Sequence, residues 1–185
     1  MRARIALLIA ALALTSCGGK DDSPTAPATP TPVLLMSYPS TAVGGDGIGR
    51  GFYIPSYPGT SLSTASIWMS AGTAGSHTVR LIARNATFDG TVIDSASSTV
   101  TLPANTSDST KVTFNFTNKA VTKTTPVTFT ITYISGPSTG LFYGVTGDYG
   151  ALTGAGINLV QTNSTTAPLD TFRRNGIAFV LTGLQ

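Results

Sequence analysis

The sequence predicts an all-β protein, an antiparallel β-sandwich, and three observations carry that expectation. Between 127 and 133, Val127, Phe129, Ile131 and Tyr133 fall on one side and Thr128, Thr130 and Thr132 on the other, the two-residue period of a strand with one buried face. Short runs of this kind recur with turn signals roughly every ten residues, and no apolar stripe of helical length interrupts them. Composition agrees: 41% of the 185 residues are hydrophobic and only 10% are charged, against a usual ~25% charged. Glu is absent and all eight acidic residues are Asp. Thr, Ser and Gly fill the space instead, and Thr favours strands while staying polar on an exposed face.

The predicted strands, in chain order, cover residues 49–54, 62–69, 77–84, 91–93, 98–102, 111–116, 127–133, 141–145, 156–160 and 177–181. Pro55 and Pro58-Gly59 close the first. In the second, Ala65, Ile67 and Met69 share one side, while Thr64, Ser66, Trp68 and Ser70 share the other. Asp89-Gly90 supplies a turn after the third. Asp94 and small polar residues separate the fourth from the fifth. Val112, Phe114 and Phe116 form the inward side of the sixth, and Asn175-Gly176 suits a tight turn before the last. No internal repeat points to a propeller or solenoid. A strand face of threonines is also unsuited to the lipid side of a membrane barrel.

Ahead of this region the composition changes twice. Residues 1–16 begin Met-Arg-Ala-Arg, continue with about ten apolar residues and end in small ones, the three parts of a secretory signal. As a helix that apolar stretch spans only about half of a ~30 Å hydrocarbon core. Residues 17–32 hold Pro24, Pro27, Pro30 and Pro32 among Thr and Ala, a composition for an extended tether rather than a packed element. The expected organisation is a signal peptide (1–16), a linker headed by Cys17 (17–32) and a β-sandwich domain (33–185).

Leu14-Thr15-Ser16-Cys17 resembles the lipobox of bacterial lipoproteins. The resemblance implies cleavage before Cys17, a diacylglyceryl thioether on its sulfur and a further acyl chain on its new amine. Two or more chains anchor a protein stably to a bilayer. Gly18 is similar to the residue that sends such lipoproteins to the outer membrane when the host is Gram-negative. The expected location is therefore the cell envelope, with the lipid bilayer as a partner through Cys17. As the only cysteine in the chain, Cys17 has no disulfide partner.

Charge excludes one class of partner. Loss of Arg2 and Arg4 with the signal leaves nine basic against eight acidic side chains, and Arg173-Arg174 is the one basic pair. That is too sparse for a nucleic-acid footprint. Chemistry finds little support either. His77 is the only histidine, adjacent Ser76 faces the opposite way on a strand, and no Gly-x-Ser-x-Gly elbow is present. The expectation for His77 is an exposed or edge-capping role. Asp46, Asp89, Asp94, Asp108, Asp148 and Asp170 mostly sit beside Gly, Ser or Thr, the habitat of turn-capping aspartates. Their spacing matches no calcium loop, and the glycine-rich stretches lack the Lys-Ser/Thr ending of a phosphate loop. No metal, no cofactor and no catalytic residue is expected.

What remains is surface. Trp68 stands on the polar side of its strand, where a large ring can serve as a platform for a sugar or another flat apolar surface; a covering loop is the competing account. Over residues 45–185 the layout resembles the jelly-roll accessory domains of bacterial surface proteins, which are similar to carbohydrate-binding modules. The resemblance implies a jelly-roll-like sandwich that contacts glycan or an envelope protein without chemistry. Trp68, Arg173 and Arg174 are then the candidate contact residues. A purely structural envelope lipoprotein and a carbohydrate-active hydrolase using paired Asp residues stand as alternatives. Mass spectrometry of the mature amino terminus is expected to find an acylated Cys17; a bare Cys17, or a mature chain starting upstream, would refute the anchor.

Overall fold

A computed structural model describes residues 28–40, 49–104, 108–147, 149–161 and 176–185 of the chain. They contain strands β1 (Val33–Tyr38), β2 (Gly49–Ile54), β3 (Thr64–Ala71), β4 (Gly75–Asn85), β5 (Val92–Leu102), β6 (Thr110–Asn115), β7 (Val127–Ser135) and β8 (Leu141–Tyr143). A short helix α1 (Tyr149–Gly154) follows, then β9 (Asn158–Gln161) and β10 (Phe179–Gly183). Cys17, Arg173 and Arg174 lie outside the described residues, as do Asp46, Asp148 and Asp170.

The strands form two antiparallel sheets packed face to face. One has the order β1-β10-β3-β6, and the other β5-β4-β7-β2-β9. Met69 pairs with Thr110 of β6 and with Tyr143 of β8, so β8 continues the edge of β3 that β10 occupies. The chain alternates between sheets from β1 to β4, makes the β4–β5 hairpin, then alternates again through β6 and β7 to β10. This places β1-β10-β3-β6 against β2-β7-β4-β5, the eight-strand, two-sheet wrap of a jelly roll. Between β7 and β10 the chain inserts β8, α1 and β9.

Period-two patterning builds the interior as expected. Ala65, Ile67 and Met69 of β3, Val79 and Leu81 of β4, Phe129 of β7, and Phe179 and Leu181 of β10 are all fully buried. The centre of the core is aromatic. The ring of Phe52 lies 4.7 Å from that of Phe129 at 16°, and 4.2 Å from that of Phe179 at 9°. Phe52 and Phe129 are direct cross-strand partners in one sheet, whereas Phe179 belongs to the other. The column extends to Tyr38 beside Phe179 and to Phe116 edge-on to Phe129. Each ring contributes roughly 1.5–3 kcal/mol by burial and about 0.5–1.5 kcal/mol more where it pairs well.

Close approach of backbone to backbone dictates Gly51. A Cβ there would stand 1.8 Å from the carbonyl oxygen of Phe129, so any larger residue would push β2 off β7.

Three elements depart from the expected strand list. β1 was not among the predicted strands: it follows the proline-rich stretch directly, its register shifts between Leu34 and Met36, and Val33 and Leu34 remain exposed. A bulged edge strand carries a broken alternation. β5 runs unbroken through Asp94, where a gap was expected. The pairing with β4 supplies its hydrogen bonds from Val92 to Leu102, whatever the side-chain polarity. α1 was not foreseen either. Gly156, at φ +69°, ends it in a left-handed cap, with the Ile157 amide donating to the Leu152 carbonyl at 3.0 Å. Six residues are too few to show an apolar stripe.

Replacement of Phe52, the middle ring of the stack, by Ala is expected to lower unfolding free energy by about 3–5 kcal/mol. Tyr38→Ala, at the half-buried end of the column, should cost clearly less. Urea denaturation of both variants checks this, and equal losses would refute the central role of the stack.

Candidate ligand-binding site

Trp68 lies where its strand period puts it, on the outer face of β3. Its inward neighbours Ile67 and Met69 are buried in the core, and Trp68 itself is half-buried. Directly opposite on β6 is Lys111, whose Nζ stands 5.6 Å from the centre of the indole ring, a cation–π pair. On the other edge of β3, the Gly144 amide donates to the Trp68 carbonyl at 2.8 Å. A Cβ at Gly144 would come within 2.6 Å of the Trp68 Cβ, 3.1 Å of Ser40 Oγ and 3.2 Å of Ser109 Oγ. The absent side chain is what lets the tryptophan and these hydroxyl groups crowd together.

Hydroxyls surround the ring along the sheet. Ser66 Oγ and Thr113 Oγ1 are hydrogen-bonded at 2.9 Å across β3 and β6, and Thr64 and Thr182 at 2.7 Å across β3 and β10. Ser66 and Ser70 flank Trp68 on its own face but are buried. The ring therefore rises from a packed polar floor rather than from an open one. Chemically, such a site offers one amphipathic surface, one ammonium group and neighbouring hydroxyls. It suits stacking of a flat apolar face with a polar edge.

The other residues singled out from the sequence fall elsewhere. His77 is buried, not exposed or edge-capping. It occupies the same side of β4 as Val79, Leu81 and Ala83, so strand period carries it inward. Its Nδ1 lies 2.9 Å from the Gly75 carbonyl oxygen, which accepts from the Nδ1 hydrogen. Nε2 has no hydrogen-bond partner among the described residues. Ser76 is exposed on the opposite face, so the two do not form a catalytic pair. Buried Tyr57 donates its hydroxyl to the Ser61 carbonyl at 3.0 Å, and burial pushes its phenol well above the ordinary value. Thr128 and Thr130 lie opposite the core residues of β7, yet both are buried; β7 is central in its sheet, and Thr128 Oγ1 donates to the Ala86 carbonyl at 2.6 Å.

Asp94 has a structural task. One carboxylate oxygen accepts from the Ser95 amide at 2.8 Å; the other accepts from the Thr117 amide at 2.8 Å and its hydroxyl at 2.7 Å. Thr117 follows β6, so the contact clips the edges of the two sheets together. Partial burial pushes the Asp94 carboxyl upward. Its hydrogen bonds from Thr117 and Ser95 and the nearby Lys119 charge outweigh that and hold it below the usual carboxylate value. Asp89 accepts from the Thr87 hydroxyl at 2.7 Å, an ordinary turn contact.

No protein-family model matches the chain, and no curated protein matches it. Lys111 is the site residue that sequence reasoning missed. Period two within residues 111–116 puts it on the outer side, but its place over Trp68 depends on the β3–β6 register, for which the sequence holds no signal.

The Asp94 clip makes a pH prediction. Because its folded pKa is depressed, the stabilisation is present in full above the unfolded value near ~3.9. It is lost as pH falls through the lower folded value. Asp94→Asn is expected to reduce stability at neutral pH and flatten this acid limb. Unfolding curves for both proteins between about pH 2 and 6 test it; an unchanged acid limb would refute it.

Proposed function

We propose that this protein is a membrane-anchored lipoprotein of the bacterial cell envelope whose sandwich is a non-catalytic surface binding module, with glycan as the ligand class. Acylated Cys17 is its link to the bilayer, residues 17–32 are its spacer, and Trp68 is its principal contact residue. The observation that carries the binding reading is the half-buried Trp68 on an outer sheet face, with the Lys111 ammonium 5.6 Å from the ring centre. A pyranose presents a flat C–H face rimmed by hydroxyls. The indole takes the first, and the Lys111 ammonium with the exposed Thr113 hydroxyl takes the second. Arg173 and Arg174 are proposed as further donors to the same ligand class. An envelope protein with a flat apolar patch is the other partner this surface fits.

One observation favours a second reading. Lys111 already occupies the ring, so the pair also works as a surface staple in a purely structural envelope lipoprotein. The paired-aspartate hydrolase is less well supported: a general acid needs a raised pKa, and Asp94 has a lowered one.

A glycan array and an envelope pull-down with a soluble form beginning at residue 18 separate these readings. Selective retention is expected, weakened about tenfold by Trp68→Ala and less by Lys111→Ala, with each fold checked by circular dichroism. No selective retention favours the structural reading, and a ligand bound equally well by folded Trp68→Ala means that the site lies elsewhere. Turnover of a retained glycan would restore the hydrolase.

A further inference from the structure

The outer face of the second sheet carries cations that no carboxylate among the described residues neutralises. On β4, inward Val79, Leu81 and Ala83 alternate with outward Arg80, Ile82 and Arg84. Arg80 is exposed, and its one hydrogen bond among the described residues is a long one, Nε to Ser97 Oγ at 3.3 Å. Arg84 is half-buried. It donates from one terminal nitrogen to the Gly90 carbonyl at 3.0 Å, while its Nε is buried and has no partner. Neither guanidinium meets a carboxylate among the described residues. A guanidinium carries five donors in a planar fork shaped for a carboxylate or phosphate, and most of these donors have no partner among the described residues.

The strand pairings place the neighbours. Arg84 lies opposite Thr128 of β7, which lies opposite Tyr53 of β2; Arg80 lies opposite Thr132. Tyr53 alternates with buried Phe52 and Ile54, so it shares this outer face. It is half-buried and stands two strand spacings, roughly 10 Å, from Arg84. Between the rows of Tyr53 and Thr132 lies the Gly51–Thr130–Ile82 row. Gly51 has no side chain, and Thr130 is buried. Half-buried Ile82 stands in the same row, between Arg80 and Arg84 on β4. Arg80 and Arg84 are four residues apart on one strand, about 13 Å along it.

We propose that this face of β4, β7 and β2 binds an extended, hydroxyl-rich polyanion, a glycan chain bearing carboxylate or phosphate groups. Arg80 and Arg84 each pair with one anionic group, Tyr53 stacks on a ring beside the Arg84 end, and Thr132 hydrogen-bonds its hydroxyls. The site lies on the opposite sheet from Trp68 and stands or falls independently of it.

The test uses the full chain in neutral detergent, titrated with polygalacturonic acid, with poly(glycerol phosphate) and with uncharged dextran. Calorimetry at low and at raised salt reads the binding. At least one polyanion is expected to bind more tightly than dextran and to lose that margin at raised salt; which one gains the margin distinguishes carboxylate from phosphate as the recognised group. Arg80→Gln, at an exposed position, should weaken binding about tenfold, and Arg80→Gln with Arg84→Lys should weaken it further, because a lysine cannot form the fork. The charge-matched Lys119→Gln, Lys123→Gln variant should bind as the parent does. Absence of binding by both polyanions overturns the proposal. So does an equal loss in the lysine variant, which would mark general attraction, or unchanged binding by Arg80→Gln.

Discussion

The stack of Phe179, Phe52 and Phe129 is the constraint on which the rest of the structure depends. Among the described residues it is the one column of rings in which the two sheets share a face-to-face contact, at 4.2 Å between Phe52 and Phe179. Stacked sheets pack about 10 Å apart when their inner side chains interdigitate, and a pair of rings lying flat on one another sets that separation at the centre. Register follows from it. A one-residue slip of β2 against β7 would send Phe52 to the surface and bring Tyr53 inward, reversing every side chain of the strand. The outward positions of Tyr53, Arg80 and Arg84 are thus consequences of an inward decision.

Polarity on the outer faces is managed with hydroxyls rather than charges. Thr64–Thr182, Ser66–Thr113 and Thr78–Thr99 join neighbouring strands through side-chain oxygens. Such groups satisfy one another without drawing a counter-ion, which is how a chain with 10% charged residues keeps a polar surface. The acidic side chains are then free for local work, as at Asp94. The cost falls on the arginines of β4, which have no carboxylate beside them among the described residues. Lys111 finds a ring instead.

His77 shows how far residue type misleads. A polar, titratable residue beside a serine near a strand end suggests the surface, yet the position belongs to the inward set of β4. Period outweighs polarity because reversing one side chain would reverse the whole strand. The nearest point of Gly136 confirms the tight enclosure: a Cβ there would stand 2.6 Å from the imidazole.

Short-range patterning determined a good deal of this protein. The all-β class, the inward sets of β3, β6 and β7, the outward side of Trp68 and the two-sheet form are all legible from alternation and turn residues, since each needs only the geometry of one strand. β1 and α1 were not, because an exposed bulged edge and a six-residue helix leave no periodic trace. The continuity of β5 was decided by its hairpin partner, and the burial of Thr128 and Thr130 by the central place of β7. Lys111 came to lie over Trp68, and Tyr53 to share a face with Arg84, only when strands distant in sequence were paired. Those contacts depend on register and strand order, and these are set by the closing of the aromatic core, which no local stretch of sequence encodes.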